Sequence, residues 1–182
     1  MPPSPLVPTG FMQVCWLVPD LPAAIDTWAS VAGVGPFFWF DGVPFDDGTH
    51  RGQPARFPPV TAAIAYSGDV QVELVCQDDD TPGIFRDLYA PGQHGLHHLA
   101  RICDDYVVER DAFVARGAEV AFEGEVGGSR TSWVDTTATL GFMIELLEPS
   151  PTRDGWFATM RKAAQTWDGV EPIVGGPRSA DR

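Results

Sequence analysis

The chain repeats itself, and no other feature of the sequence restricts its fold as strongly. Residues 11–20 align with residues 96–105 at an offset of 85. Gln13 meets His98, Leu17 meets Ile102 and Asp20 meets Asp105; further on, Asp26 meets Asp111 and Trp28 meets Phe113. Residues 71–75 align with residues 143–147 at an offset of 72. Self-similarity of this kind means that one supersecondary unit has been used twice. The difference between the offsets places 13 extra residues in the first copy, between its helix and its last strand. They fall in residues 42–59, which are rich in Gly, Pro and Asp.

Both copies read as βαβββ. A short apolar strand (11–18; 96–103) ends at an Asp placed to cap a helix, because its carboxylate can accept a free first-turn N–H. The helices are expected over about 21–31 and 105–116. Ala23, Ala24, Ile25 and Trp28 form the apolar side of the first, and Val107, Val108, Ala112 and Phe113 that of the second. Gly33 and Gly117 end them, since glycine tolerates the left-handed conformation past a helix C-terminus. Three strands follow in each copy, near 37–40, 61–66 and 70–76, then 119–123, 132–135 and 142–147. The expected fold is therefore α+β: two tandem βαβββ modules forming a curved mixed sheet around a cavity, plus a C-terminal helix. Residues 1–9 read as a flexible tail and 10–77 as the first module. Residues 78–94 read as a linker with a short helix near 82–90, and 95–149 as the second module. Residues 150–182 read as a helix near 156–167 and a tail. Trp156, Met160, Ala163, Ala164 and Trp167 give that helix an apolar stripe, which packs on the sheet or meets another subunit; a homodimer is expected.

The formal charge of −13, from 12 basic and 25 acidic residues, argues against nucleic acid and anionic membrane surfaces. Both need a basic face. Cys15, Cys76 and Cys103 are odd in number, far apart and without a CxxC pair, which suits free thiols in a reducing compartment; the cytoplasm is expected. The sequence contains no long apolar run, so no membrane span is expected.

Two copies of one module tend to pair about a pseudo-twofold axis, where matched positions meet. Gln13 and His98 are matched on the first strands, Glu73 and Glu145 on the last. Together they offer one amide oxygen, one imidazole nitrogen and two carboxylates. A mixed N/O set of this kind suits a divalent cation that keeps positions open for water or substrate. In Val72-Glu73-Leu74 and Ile144-Glu145-Leu146 each carboxylate points away from its apolar neighbours. Taken singly, such residues also read as the solvent face of a half-buried strand; the fourfold coincidence points to a site.

The same residues resemble the vicinal oxygen chelate superfamily, which includes glyoxalase I, methylmalonyl-CoA epimerase, extradiol dioxygenases and bleomycin-binding proteins. Phe11-Met12-Gln13-Val14 with Val18-Pro19-Asp20-Leu21 resembles the opening "DHV…VPDL" segment. Gly95-Leu96-His97-His98-Leu99-Ala100 resembles the epimerase "GLHHMA" segment, and Gly141 to Leu146 the closing "G…IEL". The resemblance implies metal positions Gln13, Glu73, His98 and Glu145, with His98 chosen from the His doublet and His97 expected on the other face. Gln13 stands where many members have His, which resembles the glyoxalase I ligand set and leaves one of the two His positions of an extradiol iron site unfilled. A bound zinc, nickel, cobalt or manganese ion is implied. So is an isomerase, epimerase or lyase reaction on a small carbonyl compound through an enolate-like intermediate, with Glu145 and then Glu73 as the catalytic base.

Further substrate contacts are expected from Arg130, which follows Gly127-Gly128-Ser129 and could grip a carboxylate, and from His50 with Asp46 and Asp47 in the long loop. That loop is read as a lid or a solvated acidic turn. Trp39, Trp133, Phe37, Phe38 and Phe57 suggest an apolar cavity. Two other readings stay open: a non-catalytic small-molecule binding or resistance protein, and an extradiol-type dioxygenase.

Overall fold

The computed structural model describes residues 10–176; the expected 1–9 tail and the end of the C-terminal tail lie outside the described residues. The first module runs β1 (Gln13–Leu17), α1 (Leu21–Ala32), β2 (Phe37–Asp41), an inserted hairpin β3 (Asp46–His50) and β4 (Gln53–Pro54), then β5 (Val60–Ser67) and β6 (Val70–Gln77). A short α2 (Ile84–Leu88) leads to the second module: β7 (Gly95–Ile102), α3 (Tyr106–Val114), β8 (Glu119–Val126), β9 (Ser129–Asp135), α4 (Thr137–Leu140) and β10 (Met143–Leu147). Helix α5 (Pro151–Thr166) and β11 (Ile173–Val174) follow. No helix of the described residues is long and apolar enough to cross a membrane.

The strands form one curved sheet in the order β11-β2-β5-β6-β1-β7-β10-β9-β8-β3-β4. Its centre is the antiparallel pair β1–β7, so the two modules join within a single chain. On either side the register repeats. Gln13 pairs with Gln71 and Cys15 with Glu73 in the parallel β1–β6 ladder. His98 pairs with Met143 and Ala100 with Glu145 in β7–β10.

Strand alternation sorts the side chains. Val14, Trp16, Val72 and Leu74 face α1, with Leu21, Ile25 and Phe37. Val134, Ile144 and Leu146 face α3, with Tyr106. Each fully buried Ile or Phe there contributes roughly 1.5–3 kcal/mol. The opposite faces of both halves turn toward each other and enclose Cys15, Leu17, Val75, Phe122, Trp133 and Met143. The caps behave as the sequence dictates: Asp20 and Asp105 accept from Ala23 N–H and Val108 N–H, and Gly33 takes the left-handed conformation at φ 66°. Helix α5 begins five residues earlier than its apolar stripe suggests. Ser150 caps it and Pro151 opens it, a start written in capping chemistry and not in periodicity.

The 42–59 segment departs most from expectation. Its middle is not a solvated turn but a hairpin that extends the edge of the second module, with Thr49 opposite Glu123 and His50 opposite Phe122, while Phe45 and Phe57 on its flanks line the cavity. Arg51 clamps it, reaching Asp87 and Asp135 at 2.9 Å each and also Glu119. Gly48 is required because a Cβ there would meet Ala55 O and Phe122 Cζ at 2.6 Å. Alternation could not reveal this pairing, because the partner strand lies in the other module.

Candidate metal centre and substrate cavity

Between the two inner faces lies a cavity of about 370 Å³. Gln13, Glu73 and Glu145 line its floor, Phe45, Phe57 and Trp133 its wall, and Arg153, Trp156 and Phe157 of α5 its far side. The four repeat-matched positions therefore share one face of adjoining strands, as the pseudo-twofold register requires. The carboxylates do point opposite to their apolar neighbours, but into a half-open cavity between the two inner faces.

His98 is the centre of the cluster. Its ring is 1% exposed, and Nε2 lies 3.1 Å from Glu145 Oε2 and 3.3 Å from Glu73 Oε2. Despite these distances Nε2 has no aligned hydrogen bond, and neither does the buried Gln13 Oε1. Protonated, Nε2 pairs with the two carboxylates; deprotonated, it joins them and the unpartnered Gln13 Oε1 in a donor set that fits a cation. Burial opposes charge on His98, but Glu145 and Glu73 outweigh it and push its pKa up to about 9. Burial raises the pKa of Glu145, against the pull of His98.

Two relays aim these donors. His97 Nε2 sits 3.1 Å from the Ile84 carbonyl and so carries its proton there. Burial, with His98 nearby, drops the His97 pKa to about 3, so the ring is neutral and Nδ1 is an acceptor. In that state His98 Nδ1, 2.8 Å away, donates to it when it carries a proton. This leaves Nε2 as the atom that faces Glu73 and Glu145, the orientation a metal-binding imidazole takes when its other N–H is pinned. In the other tautomer the same Nδ1 accepts from Trp133 Nε1–H at 3.3 Å, whose ring meets the imidazole edge-on. On the other side, Gln71 Nε2 donates to Tyr66 Oη at 2.9 Å and Gln13 Nε2 donates to Gln71 Oε1 at 2.5 Å. The amide atom that remains turned inward is the Gln13 oxygen.

His97 corrects an expectation of the sequence: it does not face away from His98. The β1–β7 register slips between Cys15 and Trp16, which pair with His98 and Leu96 and leave His97 unpaired. A bulge of this kind breaks alternation and brings two successive side chains to one side. Cys15 joins the cluster as well, although the repeat does not mark it. Its Sγ, a Glu73 oxygen and a His98 ring nitrogen lie within 4.8 Å of one another. Burial, then the Glu73 charge, holds its thiol well above the usual range. Two residues after Gln13 on the same strand, its side of the sheet is legible from alternation alone.

The remaining expected contacts are scattered. Trp133 and Phe57 line the cavity. Trp39 packs on the α1 side with its Nε1 on Asp41 Oδ1 at 2.7 Å. His50 Nε2 lies 2.9 Å from Asp87 Oδ2, outside the cavity lining. Arg130 pairs with Glu148 at 2.5 Å and stacks over Tyr106 beside α3. The basic residue that does line the cavity is Arg153, in the first turn of α5. It lies three residues before the apolar stripe read as the start of that helix, so periodicity gave it no site.

The family model described as Glyoxalase/Bleomycin resistance protein/Dioxygenase superfamily matches residues 12–134. No curated protein matches the chain. Among solved structures, methylmalonyl-CoA epimerase from Mycobacterium tuberculosis superposes with a TM-score of 0.54 at 21% identity, covering 81% of this chain and 92% of that one. A variant of Streptomyces coelicolor methylmalonyl-CoA epimerase in complex with 2-nitronate-propionyl-CoA gives 0.54 at 17% identity, covering 78% and 94%. At these identities the likeness is one of fold.

Proposed function

The chain belongs to the glyoxalase/bleomycin resistance protein/dioxygenase superfamily, and from that premise we propose that it is a divalent-metal-dependent isomerase, epimerase or lyase for a small carbonyl compound. The observation that carries the reading is the convergence of His98 Nε2 on Glu73 and Glu145, with no aligned hydrogen bond to the buried Nε2 and none to the buried Gln13 Oε1. Gln13, Glu73, His98 and Glu145 would hold the cation, with the Cys15 thiol beside them. When bound, a divalent cation lends positive charge to a substrate carbonyl oxygen and makes the neighbouring C–H more acidic. Glu145 is the first candidate for the base that takes this proton and Glu73 the second. Trp133, Phe57 and Phe45 exclude water around them and so strengthen every charge interaction inside. Epimerisation is the reaction named for the structural neighbours, and proton removal followed by return is its simplest form. The apolar lining of the cavity favours one second reading, a protein that only sequesters a small ligand.

Elemental analysis of protein purified without chelator, for wild type and His98→Ala, separates them. Near-stoichiometric zinc, nickel, cobalt or manganese that disappears in the variant supports the proposal. Iron would point to an oxygen-using enzyme. Absence of metal even after soaking would overturn the proposal in favour of the binding protein.

A further inference from the structure

Arg153 forms no ion pair among the described residues, although it is partly buried against the cavity. Its Nη2 donates to Ser129 Oγ at 2.7 Å and to the Glu148 carbonyl, and its Nη1 lies 3.5 Å from Thr131 Oγ1. All three partners are neutral. Its Nε is buried and has no partner. Burial lowers its pKa, while Glu145, Asp154 and Glu148 counter from longer range. By contrast Arg51, Arg86, Arg101, Arg110 and Arg130 each stand within 4 Å of a carboxylate. A guanidinium held in place by neutral groups, with no carboxylate within ion-pair distance, is open to an anion from outside the chain.

The rest of the cavity defines the body of that anion. Phe40, Phe45, Phe57, Phe85, Trp133, Trp156 and Phe157 supply its aromatic lining. The volume of about 370 Å³ lies at the small end of the roughly 300–1,000 Å³ typical of small-molecule sites. A polyphosphate tail would find the other arginines named above already paired and, near the cavity among the described residues, only the exposed Arg56 beside Phe57, on a chain of net charge −13. Resting on the metal-centre reading for the position of the reacting carbon, we infer that the substrate is a compact free carboxylic acid with an apolar or aromatic body. Its carboxylate binds Arg153 and its carbonyl end lies over Gln13, Glu73 and Glu145. The anchor is carried by α5, beyond the 12–134 stretch that the family shares; on this reading, coenzyme A thioesters are not the substrates.

Chemical-shift titration of the full, chelator-stripped chain tests this without the metal. The probes are the pairs phenylacetate and phenylacetamide, isovalerate and isovaleramide, and, separately, propionyl-CoA. The acid of at least one pair is expected to bind about tenfold or more tightly than its amide, the ratio typical of a charge-assisted hydrogen bond. Arg153→Met should erase that preference, Arg153→Lys should keep part of it, and Arg130→Met should leave it intact. If Arg153→Met fails to fold, the wild-type acid–amide ratio and Arg153→Lys still decide. Equal binding of acid and amide, no binding by either acid, or tighter binding of propionyl-CoA than of both acids would overturn the inference. A protein that never takes up metal can pass this test, and a metal-loaded enzyme can fail it, so the two readings fall separately.

Discussion

The floor of the cavity and its walls have different origins. The floor comes from matched positions of the repeat: Gln13 with His98, Glu73 with Glu145, in the same register on both sides of the β1–β7 seam. Apart from Trp133 on the repeated strand β9, the wall residues named above come from segments that occur once: the β3–β4 insert and its flanks with Phe45 and Phe57, and α5 with Arg153 and Phe157. The residues that aim the floor are also unmatched. His97 corresponds to Met12 and Gln71 to Met143, yet each orients one donor of the cluster. Duplication thus brings donor atoms together on an axis, while unrepeated elements decide how they point and what reaches them.

The contrast can be broken at its strongest point first. His98→Ala should remove bound metal altogether and leave Glu73 and Glu145 facing each other without their shared cation, lowering the melting temperature of the metal-free protein as well. Metal stoichiometry and thermal unfolding measure the two effects. Next, Trp133→Ala removes a buried side chain that joins floor to wall; a loss of about 3–5 kcal/mol in denaturant unfolding is expected. His97→Phe keeps the bulk but cannot accept from His98 Nδ1. Metal affinity should fall about 10–100-fold with little loss of fold, as a competitive chelator titration would show; unchanged affinity would reduce His97 to packing.

Arg51→Ala addresses the wall alone. The substitution takes the guanidinium away from Asp87, Asp135 and Glu119, so residues 46–54 should exchange their amides faster while β1 and β7 stay protected. The expected cost is about 1–2 kcal/mol. The smallest effect is expected outside both regions, at Glu148. Hydrogen bonds from Arg130 hold its carboxyl below the usual carboxylate range. A depressed carboxylate stabilises the fold at pH above its unfolded pKa of about 4.3. That contribution fades as pH falls through the lower folded value. At most about 1 kcal/mol is involved in so exposed a pair. Glu148→Gln should therefore lower stability at neutral pH by up to about that amount, leave the strongly acidic limit nearly unchanged, and so flatten the acid side of the stability–pH curve.

Much of the molecule is legible before folding. Offsets of 85 and 72 imply two βαβββ units, Asp20 and Asp105 mark the helix starts, and four polar residues at matched positions mark the floor. These features survive because they depend on local spacing, which the backbone converts directly into faces and caps. Four things were decided only by tertiary contact. The 42–59 segment became a hairpin because its pairing partner, β8, lies in the other module, far along the chain. His97 joined His98 because a bulge opposite β1 suspended alternation. Arg130 was drawn to Glu148, and Arg153 was left turned to the cavity without an ion pair, because the folded chain distributes its carboxylates in space and not along the sequence. By itself the sequence determined where the donor atoms come from. Which way they point, and which guanidinium lines the cavity beside them, depended on distances between residues that only the curved sheet brings within reach.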